Sequence, residues 1–486
     1  MEESFSYGCI TWAVILFIWY VVVLSLASYG FFGILAHSRS KVNNHPQNLD
    51  HSNLDGVTIL RPLKGLDPEM ETCLRCAFTQ NYPAGKLEIL FCIENATDPA
   101  TEVAKKIVAE FPHIDSKILI GDSGLPDYFG PNPKINNLAK GYARAKYDIV
   151  WVLDSNVWVG PNTLERSVFA LKNSTNNGKP THNFSTKKGR RVNLVHHTPL
   201  AVAVEPSLGA LCDEMFLSTS HAKFYVSLNN VAVAPCVNGK SNLYRRTELD
   251  EAVRQIGLGY LPSNNGQSGE EGPDAAFFGK SGQGIRFFAR YIGEDNMIGI
   301  ALWNKIGACR TAMTGDCAVQ PVTSGSNGGL KSYVERRVRW LRVRKYMVMA
   351  ATLLEPTTEC FVSGVYGTFA VSVLFFGQMF NLWWFVFHVL TWVSTDYYQF
   401  HFLHMSAYCD HDMRNCSMPY FVHPTFDVSN ENTSPSSYRK LAHWLPIWLL
   451  RESLALPIWV IAIMGQEIDW RGQPFRIRAD LTAERL

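Results

Sequence analysis

An aspartate that directly follows an apolar strand is the first residue of this chain whose type and position suggest chemistry. Residues 149–153 are all apolar, the pattern of a strand covered on both faces in a central parallel sheet, and Asp154, Ser155 and Asn156 come next. Ligands of open α/β sheets collect at the carboxyl ends of the strands. A carboxylate and an amide at that edge could hold a hard divalent ion, which would in turn hold a diphosphate. The alternative is a strand that ends in an Asx turn.

A pair of acidic residues, Glu294 and Asp295, precedes a predicted helix that begins near Asn296. A carboxylate in this position can act as a general base that takes the proton of an attacking hydroxyl group. The alternative is a helix N-cap with Glu294 as a solvated neighbour. An enzyme that moves a sugar from a nucleotide diphosphate needs both a diphosphate site and a base, so this pair complements Asp154.

A basic motif, Arg336-Arg-Val-Arg339-Trp340, lies in the positively charged run from Lys331 to Lys345. Its arginines could neutralise a leaving diphosphate. The alternative is an interfacial helix, whose arginines face anionic lipid while Trp340 lies at headgroup level. The two interpretations are compatible, because one helix can serve both.

Two further candidates have weaker signals. Lys134 lies in the first turn of a predicted helix, where free N–H groups and a lysine suit an anion. His221 could contact a substrate, although a single histidine is also a common core or turn residue. Three more polar residues follow the second predicted strand: Glu94, Asn95 and Asp98.

Strands and helices alternate through the first half of the chain. This alternation predicts βαβ units and a mostly parallel sheet with Asp154 at its carboxyl edge. Two polar, glycine-containing stretches, 173–191 and 257–274, are predicted surface insertions. The predicted strands are 56–60, 87–93, 116–120 and 148–154.

The first apolar segment predicts a membrane anchor. No charged side chain occurs between Glu3 and Arg39, and residues 10–35 are long enough to span a bilayer. The segment is too long for a signal-peptide core, so we expect it to be retained. Positive charges follow it, which predicts an outer N-terminus and a cytosolic catalytic domain.

Two later apolar segments predict a C-terminal membrane region. Residues 360–395 carry no formal charge and are too long for one helical span, so we expect two spans, about 360–379 and 382–403. Residues 441–464 are also apolar, but two prolines and the pair Arg451-Glu452 interrupt them. We interpret this last segment as re-entrant, because a full span would place the basic tail outside the cytosol.

These patterns divide the chain into five parts. An N-terminal transmembrane anchor is followed by a linker, a cytosolic catalytic domain, a basic interfacial helix with the Arg-x-x-Arg-Trp motif, and a C-terminal membrane region with a tail. Their predicted ranges are 1–36, 37–55, 56–330, 331–355 and 356–486.

The net charge and the cysteine content exclude few functions. The net charge of +2 does not indicate a nucleic-acid partner. Cys73 and Cys76 could form half of a zinc site or a redox pair, but no second pair has suitable spacing, which favours reduced thiols. A second Cys/His run has irregular spacing and is better explained as a juxtamembrane loop than as a metal site: His401, His404, Cys409, His411 and Cys416.

The acidic residues and the Arg336-x-x-Arg339-Trp340 motif, in this order and with membrane segments, resemble the inverting glycosyltransferases of the glycosyltransferase A fold with a (Gln/Arg)-x-x-Arg-Trp signature. Closer matches resemble the ceramide glucosyltransferase family. They are Asn132-Pro-Lys-Ile-Asn-Asn137, Thr219-Ser-His221, Cys236-Val-x-Gly239-x-Ser241 and Glu294-Asp295.

The resemblance implies an α/β fold, with a glycosyltransferase A (Rossmann-like) catalytic domain and transmembrane helices at both ends. It implies transfer of glucose from UDP-glucose to the primary hydroxyl of ceramide with inversion, giving β-glucosylceramide. It also implies Mg²⁺ or Mn²⁺, a lipid bilayer as partner without nucleic acid, and a multi-pass Golgi or endoplasmic reticulum location with the site facing the cytosol.

The resemblance also assigns roles. Asp154 would hold the metal or the nucleotide, and Asp295 would be the base. Asn95 stands where the family has its first aspartate, so Glu94 or Asp98 would take that role. The remaining residues would bind the nucleotide sugar (Lys134, Asn156), hold the diphosphate and the acceptor (Arg336, Arg339, Trp340) or line the substrate pocket (His221, Cys236, Glu294).

Two other functions stay open at this point. A processive membrane polysaccharide synthase shares the same signature, although few membrane spans follow the catalytic domain. A non-catalytic, transferase-like membrane scaffold is the other, and the amide at Asn95 is its only indication.

Overall fold

The computed structural model describes ten ranges of the chain. The predicted insertions at 173–191 and 257–274 lie almost entirely outside them, as do Cys409, His411 and Cys416. The described residues are 5–43, 54–121, 128–172, 191–260, 280–305, 309–324, 329–408, 418–423, 440–470 and 472–486.

A seven-stranded mixed sheet forms the centre of the catalytic domain. Its strand order is β3-β2-β1-β4-β6-β5-β7, and β6 runs antiparallel to both of its neighbours while the other pairs are parallel. The strands are β1 (Val57–Leu63), β2 (Leu87–Ile93), β3 (Asp115–Ile120), β4 (Ile149–Leu153), β5 (Arg191–Ala203), β6 (Ser241–Arg245) and β7 (Cys309–Val322).

The buried strands divide their side chains between two cores. Ile59 and Trp151 belong to the core on one face of the sheet, while Leu60 and Val150 belong to the core on the other. This alternation follows from the two-residue period of a strand, and both faces are apolar because helices cover both. The run 149–153 is therefore a central buried strand, as its composition predicted.

Ten of the described helices accompany the sheet or follow it. Leu217–His221 is a π-helical turn between α6 and α7, and Gly284–Arg290 is a 3-10 helix before α9. The ten helices are α2 (Met70–Arg75), α3 (Ala100–Glu110), α4 (Pro133–Arg144), α5 (Thr163–Lys172), α6 (Leu208–Phe216), α7 (Ala222–Val231), α8 (Arg246–Tyr260), α9 (Glu294–Lys305), α10 (Leu330–Lys345) and α11 (Met349–Leu354).

Apolar helices lie at both ends of the chain: α1 (Tyr7–Asn43), α12 (Cys360–Val371), α13 (Leu382–Tyr408) and α14 (Leu441–Met464). Within the described residues, Tyr7–Ser38 and Leu441–Met464 are each long and apolar enough to cross a bilayer. The pair Met349–Thr358 and Cys360–Phe376, bent by 77°, would add a third span if it acts as one. These helices are those of a membrane protein.

The C-terminal region has two features of note. A π-helical turn, Ser372–Phe376, and Gly377 with a positive φ of 63° separate α12 from α13, because a left-handed residue cannot continue a helix. After α14 the chain forms a small antiparallel sheet that packs against α10, a feature that the sequence did not reveal. Its strands are β8 (Glu467–Trp470), β9 (Gln473–Ile477) and β10 (Ala483–Arg485).

Candidate active site

Helix α4 delivers Lys134 to the carboxyl edge of the sheet. Asn132 is its N-cap, and its Oδ1 accepts hydrogen bonds from the backbone N–H groups of Lys134 (2.9 Å) and Ile135 (3.1 Å). Pro133 occupies the first helical position, where the fixed φ of proline suits the helix. The cap and the proline therefore determine where the helix begins and which way Lys134 points.

Lys134 connects three parts of the site. Its Nζ lies 2.8 Å from Oδ1 of Asp154 and 3.0 Å from Oε1 of Glu294, and it donates to the carbonyl oxygen of Gly239 at 3.1 Å. Burial works against its charged form, but the neighbouring carboxylates raise the pKa of Lys134 above its usual value. The lysine therefore stays charged, and it holds the ends of β4 and α9 together.

Asp154 is held between two lysines. Besides Lys134, the Nζ of Lys240 lies 3.5 Å from its Oδ2, and the Asp154 side chain is only 20% exposed. Burial alone would raise the pKa of Asp154, but the two ammonium groups hold it below its usual value. Asp154 is therefore ionised throughout the physiological pH range.

Asp295 lies in the same cleft as Asp154. A β-carbon at Gly239 would lie 3.1 Å from Oδ2 of Asp295 and 3.2 Å from Nζ of Lys134, so only a glycine lets both side chains approach this loop without displacement. Burial and the charge of Glu294 raise the pKa of Asp295 to about 7, against the opposing effect of Lys134. A carboxylate with this pKa suits general-base catalysis near neutral pH.

Glu294 and Asp295 have different environments although they are adjacent. The Glu294 carboxylate accepts a hydrogen bond from Nδ2 of Asn132 at 2.9 Å and pairs with Lys134, and its side chain is buried. Nδ2 of Asn132 also donates to the carbonyl oxygen of Tyr291 at 2.7 Å, which joins the start of α4 to the chain just before α9. Glu294 is therefore engaged within the protein, and Asp295 is the member of the pair that is available for proton transfer.

The formal charges of this cluster limit what it can bind alone. Two ammonium groups face three carboxylates, so the cluster has no excess positive charge to attract a diphosphate. A divalent ion that arrives with a nucleotide needs only one or two protein carboxylates beside phosphate oxygens and waters. Asp154 and the amide of Asn156 fit that requirement. In the described part of the chain, no group of three His, Cys, Asp or Glu side chains could form an all-protein metal site.

The Arg-x-x-Arg-Trp motif lies on α10 with its side chains already in contact with protein groups. Arg336 pairs with Asp213 of α6, and Arg339 donates to the carbonyl oxygen of Asp469 at 3.3 Å. Burial raises the pKa of Asp213 to about 6, against the opposing charge of Arg336. The half-buried Trp340 packs at 6.3 Å between ring centroids against an aromatic side chain of α6.

His221 and Cys236 are both half-buried beside this cleft. The His221 ring stacks on Tyr225 at 5.3 Å, and burial lowers the pKa of His221 to about 3, so it is neutral. Burial raises the pKa of the Cys236 thiol, which is therefore not a nucleophile at neutral pH. The Tyr225 hydroxyl accepts from the backbone N–H of Asn238 at 3.2 Å, so this stack also supports the Gly239 loop.

The polar residues after β2 form a separate turn at the same sheet edge. Glu94 pairs with Lys64 at 2.9 Å, and Asn95 accepts hydrogen bonds from Thr97. Asp98 accepts from the backbone N–H of Gly65 at 3.0 Å and of Ala100 at 2.9 Å, next to the start of α3. Glu94 and Asn95 are exposed, while Asp98 holds the turn together.

Three residues of the cleft were not predicted as site residues, although Asn132 and Lys240 lie inside motifs that carry the family resemblance. Asn132 could have been found as an Asn-Pro helix start, but its side-chain bond to Glu294 joins residues 162 positions apart. Lys240 occupies an unspecified position of the motif from Cys236 to Ser241, and nothing in the sequence indicated that it would pair with Asp154. Asp213 lies inside an apolar helix, where nothing indicated that it would pair with Arg336.

A known protein family matches most of this chain. Residues 18–253 and 279–483 match the profile of glycosyl transferase family 21. The chain belongs to this family. Its mixed α/β sheet and its terminal apolar helices confirm the fold class that the sequence predicted, and family 21 membership confirms the resemblance to glycosyltransferases.

Curated relatives support the same assignment. A ceramide glucosyltransferase of Komagataella phaffii is 55% identical over 98% of this chain and 92% of that protein. A ceramide glucosyltransferase of Candida albicans is 43% identical over the full length of both chains. A Caenorhabditis elegans relative, ceramide glucosyltransferase 3, is 26% identical over 91% of this chain and 77% of that protein. This family 21 chain is therefore a glycosyltransferase similar to enzymes that glucosylate ceramide.

Solved structures of other glycosyltransferases show more distant likeness. A mannosyltransferase from Pyrobaculum calidifontis, in complex with GDP-Man and Mn²⁺, has a TM-score of 0.36 and 13% identity, and covers 81% of this chain and 99% of that chain. S. aureus TarS 1–349 in complex with UDP-GlcNAc has a TM-score of 0.30 and 11% identity, with coverage of 89% and 96%.

We predict that Glu294→Gln shifts the pH dependence of this family 21 enzyme. If Asp295 is the base, kcat/KM rises as pH increases through its pKa, because only the deprotonated form accepts a proton. Removing the Glu294 charge lowers the pKa of Asp295, so the acid limb of the profile should move to lower pH. The exposed Glu102→Gln is the control and should leave the profile unchanged. An acid limb that stays in place or moves upward in Glu294→Gln would contradict this coupling.

Proposed function

We propose that this protein transfers glucose from UDP-glucose to the primary hydroxyl of ceramide, with inversion, at the surface of a Golgi or endoplasmic reticulum membrane. The observation that carries the proposal is the position of Asp295. Its carboxylate has a pKa raised to about 7 and lies beside the lysine that holds Asp154. The proposed base, Asp295, and the carboxylate on the diphosphate side, Asp154, thus share one cleft, as a single-displacement transfer requires.

The donor would bind along the carboxyl edge of β2 and β4. The turn with Glu94, Asn95 and Asp98 would contact the nucleoside, and Lys134 and Lys240 would face the diphosphate. Asp154 and Asn156 would contribute ligands to a Mg²⁺ or Mn²⁺ ion, which when bound neutralises the diphosphate as it leaves. The protein's own contribution is to hold the diphosphate end against the two ammonium groups.

The acceptor hydroxyl would be activated by Asp295. The carboxylate takes the hydroxyl proton while the oxygen forms its bond to the anomeric carbon. The bond from that carbon to the diphosphate oxygen breaks on the opposite side, and the electron pair leaves with UDP. One displacement of this kind inverts the anomeric centre and gives a β-glycoside.

Groups around the cleft would position both substrates. Arg336 would turn from Asp213 toward the diphosphate. Arg339 and Trp340 would form the wall of the cleft on the acceptor side. The neutral ring of His221 and the Cys236 thiol would line the acceptor pocket, where uncharged groups suit a lipid amide. The Arg336 contact with a buried carboxylate holds the guanidinium near the cleft until the donor arrives.

The test of the proposal is a product assay. Purified protein is supplied with labelled UDP-glucose and ceramide, and the lipid fraction is analysed by mass and by the anomeric proton coupling. One hexose on ceramide in β-linkage is the expected product, with UDP-galactose as the comparison donor. A ladder of hexoses would indicate a polysaccharide synthase, and a folded protein that uses no UDP-sugar would indicate a scaffold; either result overturns the proposal.

We expect a chelator to lower the rate of transfer. The cleft has no excess positive charge, so a diphosphate bound without a divalent ion would face three carboxylates. EDTA should reduce kcat/KM for the donor at least tenfold, a change of about 1.4 kcal/mol, and excess Mg²⁺ or Mn²⁺ should restore it. Full activity in EDTA would show that Lys134 and Lys240 neutralise the diphosphate alone.

A further inference from the structure

We propose that only α1 crosses the bilayer, and that the α12–α13 hairpin and α14 enter and leave one leaflet from the side of the catalytic domain. This arrangement replaces the two full spans that the composition of residues 360–403 predicted. It does not depend on the identity of the transferred sugar, because it is carried by contacts between the apolar helices and the catalytic domain.

Both ends of the α12–α13 hairpin contact the same segment of the catalytic domain. At its start, Glu359 accepts a hydrogen bond from Ser220 at 3.0 Å, next to His221. Near its end, Nε2 of Gln399 donates to the carbonyl oxygens of Ser218 and Thr219, both at 2.8 Å. The chain therefore returns to the side from which it left.

The end of α13 is built into the core of the catalytic domain. Leu403 and Ala407 belong to the same buried cluster as strands β1, β2 and β4, and Phe421 belongs to it after the hairpin. Nε2 of His404 lies 2.9 Å from Oε1 of Glu214 in α6. These contacts bury polar and apolar groups together, so the hairpin cannot detach without exposing both.

The tip of the hairpin reaches only part of the way along α1. The Phe375 ring lies 5.4 Å from the ring of Phe17. The backbone of Gly30 touches the backbone of Lys223 in the catalytic domain, since a β-carbon there would lie 1.8 Å from the Lys223 oxygen. Thirteen residues separate Phe17 from Gly30, a rise of about 20 Å. That is less than the hydrocarbon thickness of about 30 Å.

α1 alone extends beyond the tip. Its first turn begins at Tyr7, ten residues before Phe17, so it extends about 15 Å beyond the contact with Phe375. From Tyr7 to Gly30 the helix rises about 35 Å, enough to cross the hydrocarbon layer. The hairpin therefore ends inside the bilayer while α1 passes through it.

The chemistry of the tip fits acyl chains. Trp383 is 82% exposed and Phe375 63%, and no charged side chain occurs in residues 360–395. Asn381 is satisfied within the turn, because its Oδ1 accepts from two backbone N–H groups and its own backbone N–H donates to Ser372 at 2.8 Å. Apart from the exposed Gln378, the tip thus presents an apolar surface to lipid.

α14 lies against the catalytic side along its whole length. Trp448 near its start donates to Asp396 of α13 at 2.9 Å, and Arg451 at its middle pairs with Glu359 at 2.7 Å. At its end, Lys345 and Arg342 of α10 donate to its last carbonyl oxygens at 2.6 and 3.0 Å, where cations suit a helix C-terminus. Each third of α14 is therefore attached to the base of the hairpin or to α10.

The strands after α14 decide on which side the chain continues. Thr482 forms a backbone bridge with Tyr291, four residues before Asp295, and Phe475 packs in one cluster with Val343 of α10. If α14 crossed the bilayer, these strands would lie across the membrane from Asp295. Since they touch, the C-terminal strands lie on the catalytic side, and α14 rests in one leaflet with its apolar outer face against lipid.

Cysteine labelling in sealed microsomes tests this arrangement. Single substitutions are Lys105→Cys in the catalytic domain, Ser6→Cys before α1, Trp383→Cys at the tip and Arg485→Cys in β10; all four positions lie on the surface. A membrane-impermeant maleimide is added to intact vesicles, to vesicles with an opened lumen and to detergent-dissolved protein. The measured quantity is the label that each variant gains over the unsubstituted chain. The side of the membrane from which Lys105→Cys is labelled is defined as the catalytic side.

We expect Arg485→Cys to label on the same side as Lys105→Cys, and Ser6→Cys to label only from the other side. Trp383→Cys should label from neither side and only in detergent. Label at Arg485→Cys from the Ser6 side would show that α14 crosses, and label at Trp383→Cys from that side would show that the hairpin crosses. If a variant fails to fold, protease digestion of a tag after Leu486 in the unsubstituted chain makes the same distinction for α14.

Discussion

Replacing Asp295 with Asn should lower turnover by about 10²–10⁴-fold, the usual effect of removing a general base. The amide has nearly the same shape but cannot accept the hydroxyl proton. KM for the donor should change little, because Lys134 and Asp154 still form the diphosphate side of the cleft. The measurement is kcat and KM of the purified variant at several pH values, and the acid limb of the profile should disappear with the base.

Stability separates loss of the base from loss of the fold. The folded-state pKa of Asp295, about 7, is above that of an unfolded aspartate, so this group costs stability as pH rises toward 7. Asp295→Asn removes that cost and should unfold at the same or a higher temperature than the unsubstituted protein at pH 8. Asp55→Asn is the matched control. Asp55 forms an exposed ion pair just before β1, at the end of that strand away from the cleft, and this variant should keep full turnover. Near-normal turnover in Asp295→Asn would remove this residue from the mechanism.

Lys134→Met should produce the second large effect. The substitution leaves the Asp154 and Glu294 carboxylates without their shared ammonium group. Breaking a largely buried ion pair on one side costs about 3 kcal/mol of stability. Turnover should fall by about 10²–10³-fold, the range for losing one electrostatic contact to a developing charge. Thermal unfolding and donor kinetics measure the two effects, and Lys105→Met on the surface of α3 is the control.

A double variant distinguishes the two roles of Lys134. In Lys134→Met with Glu294→Gln, one carboxylate is neutralised together with the lysine, so most of the lost stability should return. Turnover should stay low, because no ammonium group at this position faces the diphosphate. Recovery of both quantities would mean that Lys134 serves the fold alone.

The stability and the reactivity of the site depend on the same contacts. Lys134 lowers the pKa of Asp154 and opposes the rise in the pKa of Asp295, so it keeps one carboxylate ionised while the other can exchange a proton near neutral pH. Glu294, held by Asn132, supplies the opposing charge. Different environments for neighbouring carboxylates are the usual way in which a protein assigns them different tasks.

The proposed membrane arrangement determines from which leaflet the acceptor would enter the cleft. Trp340 and His221 lie where α6, the π-helical turn and α10 meet the apolar helices. A ceramide in the leaflet that holds the hairpin would therefore reach Asp295 without leaving that leaflet. The glycolipid product would be released into the same leaflet.

The sequence by itself determined the local features of this protein. The run 149–153 predicted a central strand, because five apolar residues in a row suit a position covered on both faces, and Asp154 was correctly placed at its carboxyl end. Glu294 and Asp295 were correctly placed at a helix start, and a break between helices was expected near residues 379–382, close to where the structure has it. These predictions succeeded because hydrophobic period, helix starts and glycine conformation depend on neighbouring residues.

Only the tertiary structure decided which distant groups meet. Lys134 lies between Asp154 and Glu294, and Arg336 pairs with a carboxylate 123 positions earlier, because helix packing and strand order, rather than local pattern, bring these residues together. The same reason applies to the contacts of α14, a segment that the flanking charges had already led us to interpret as re-entrant. Its position against the catalytic domain follows from the Arg451–Glu359 pair and from the strands after it, which composition cannot reveal.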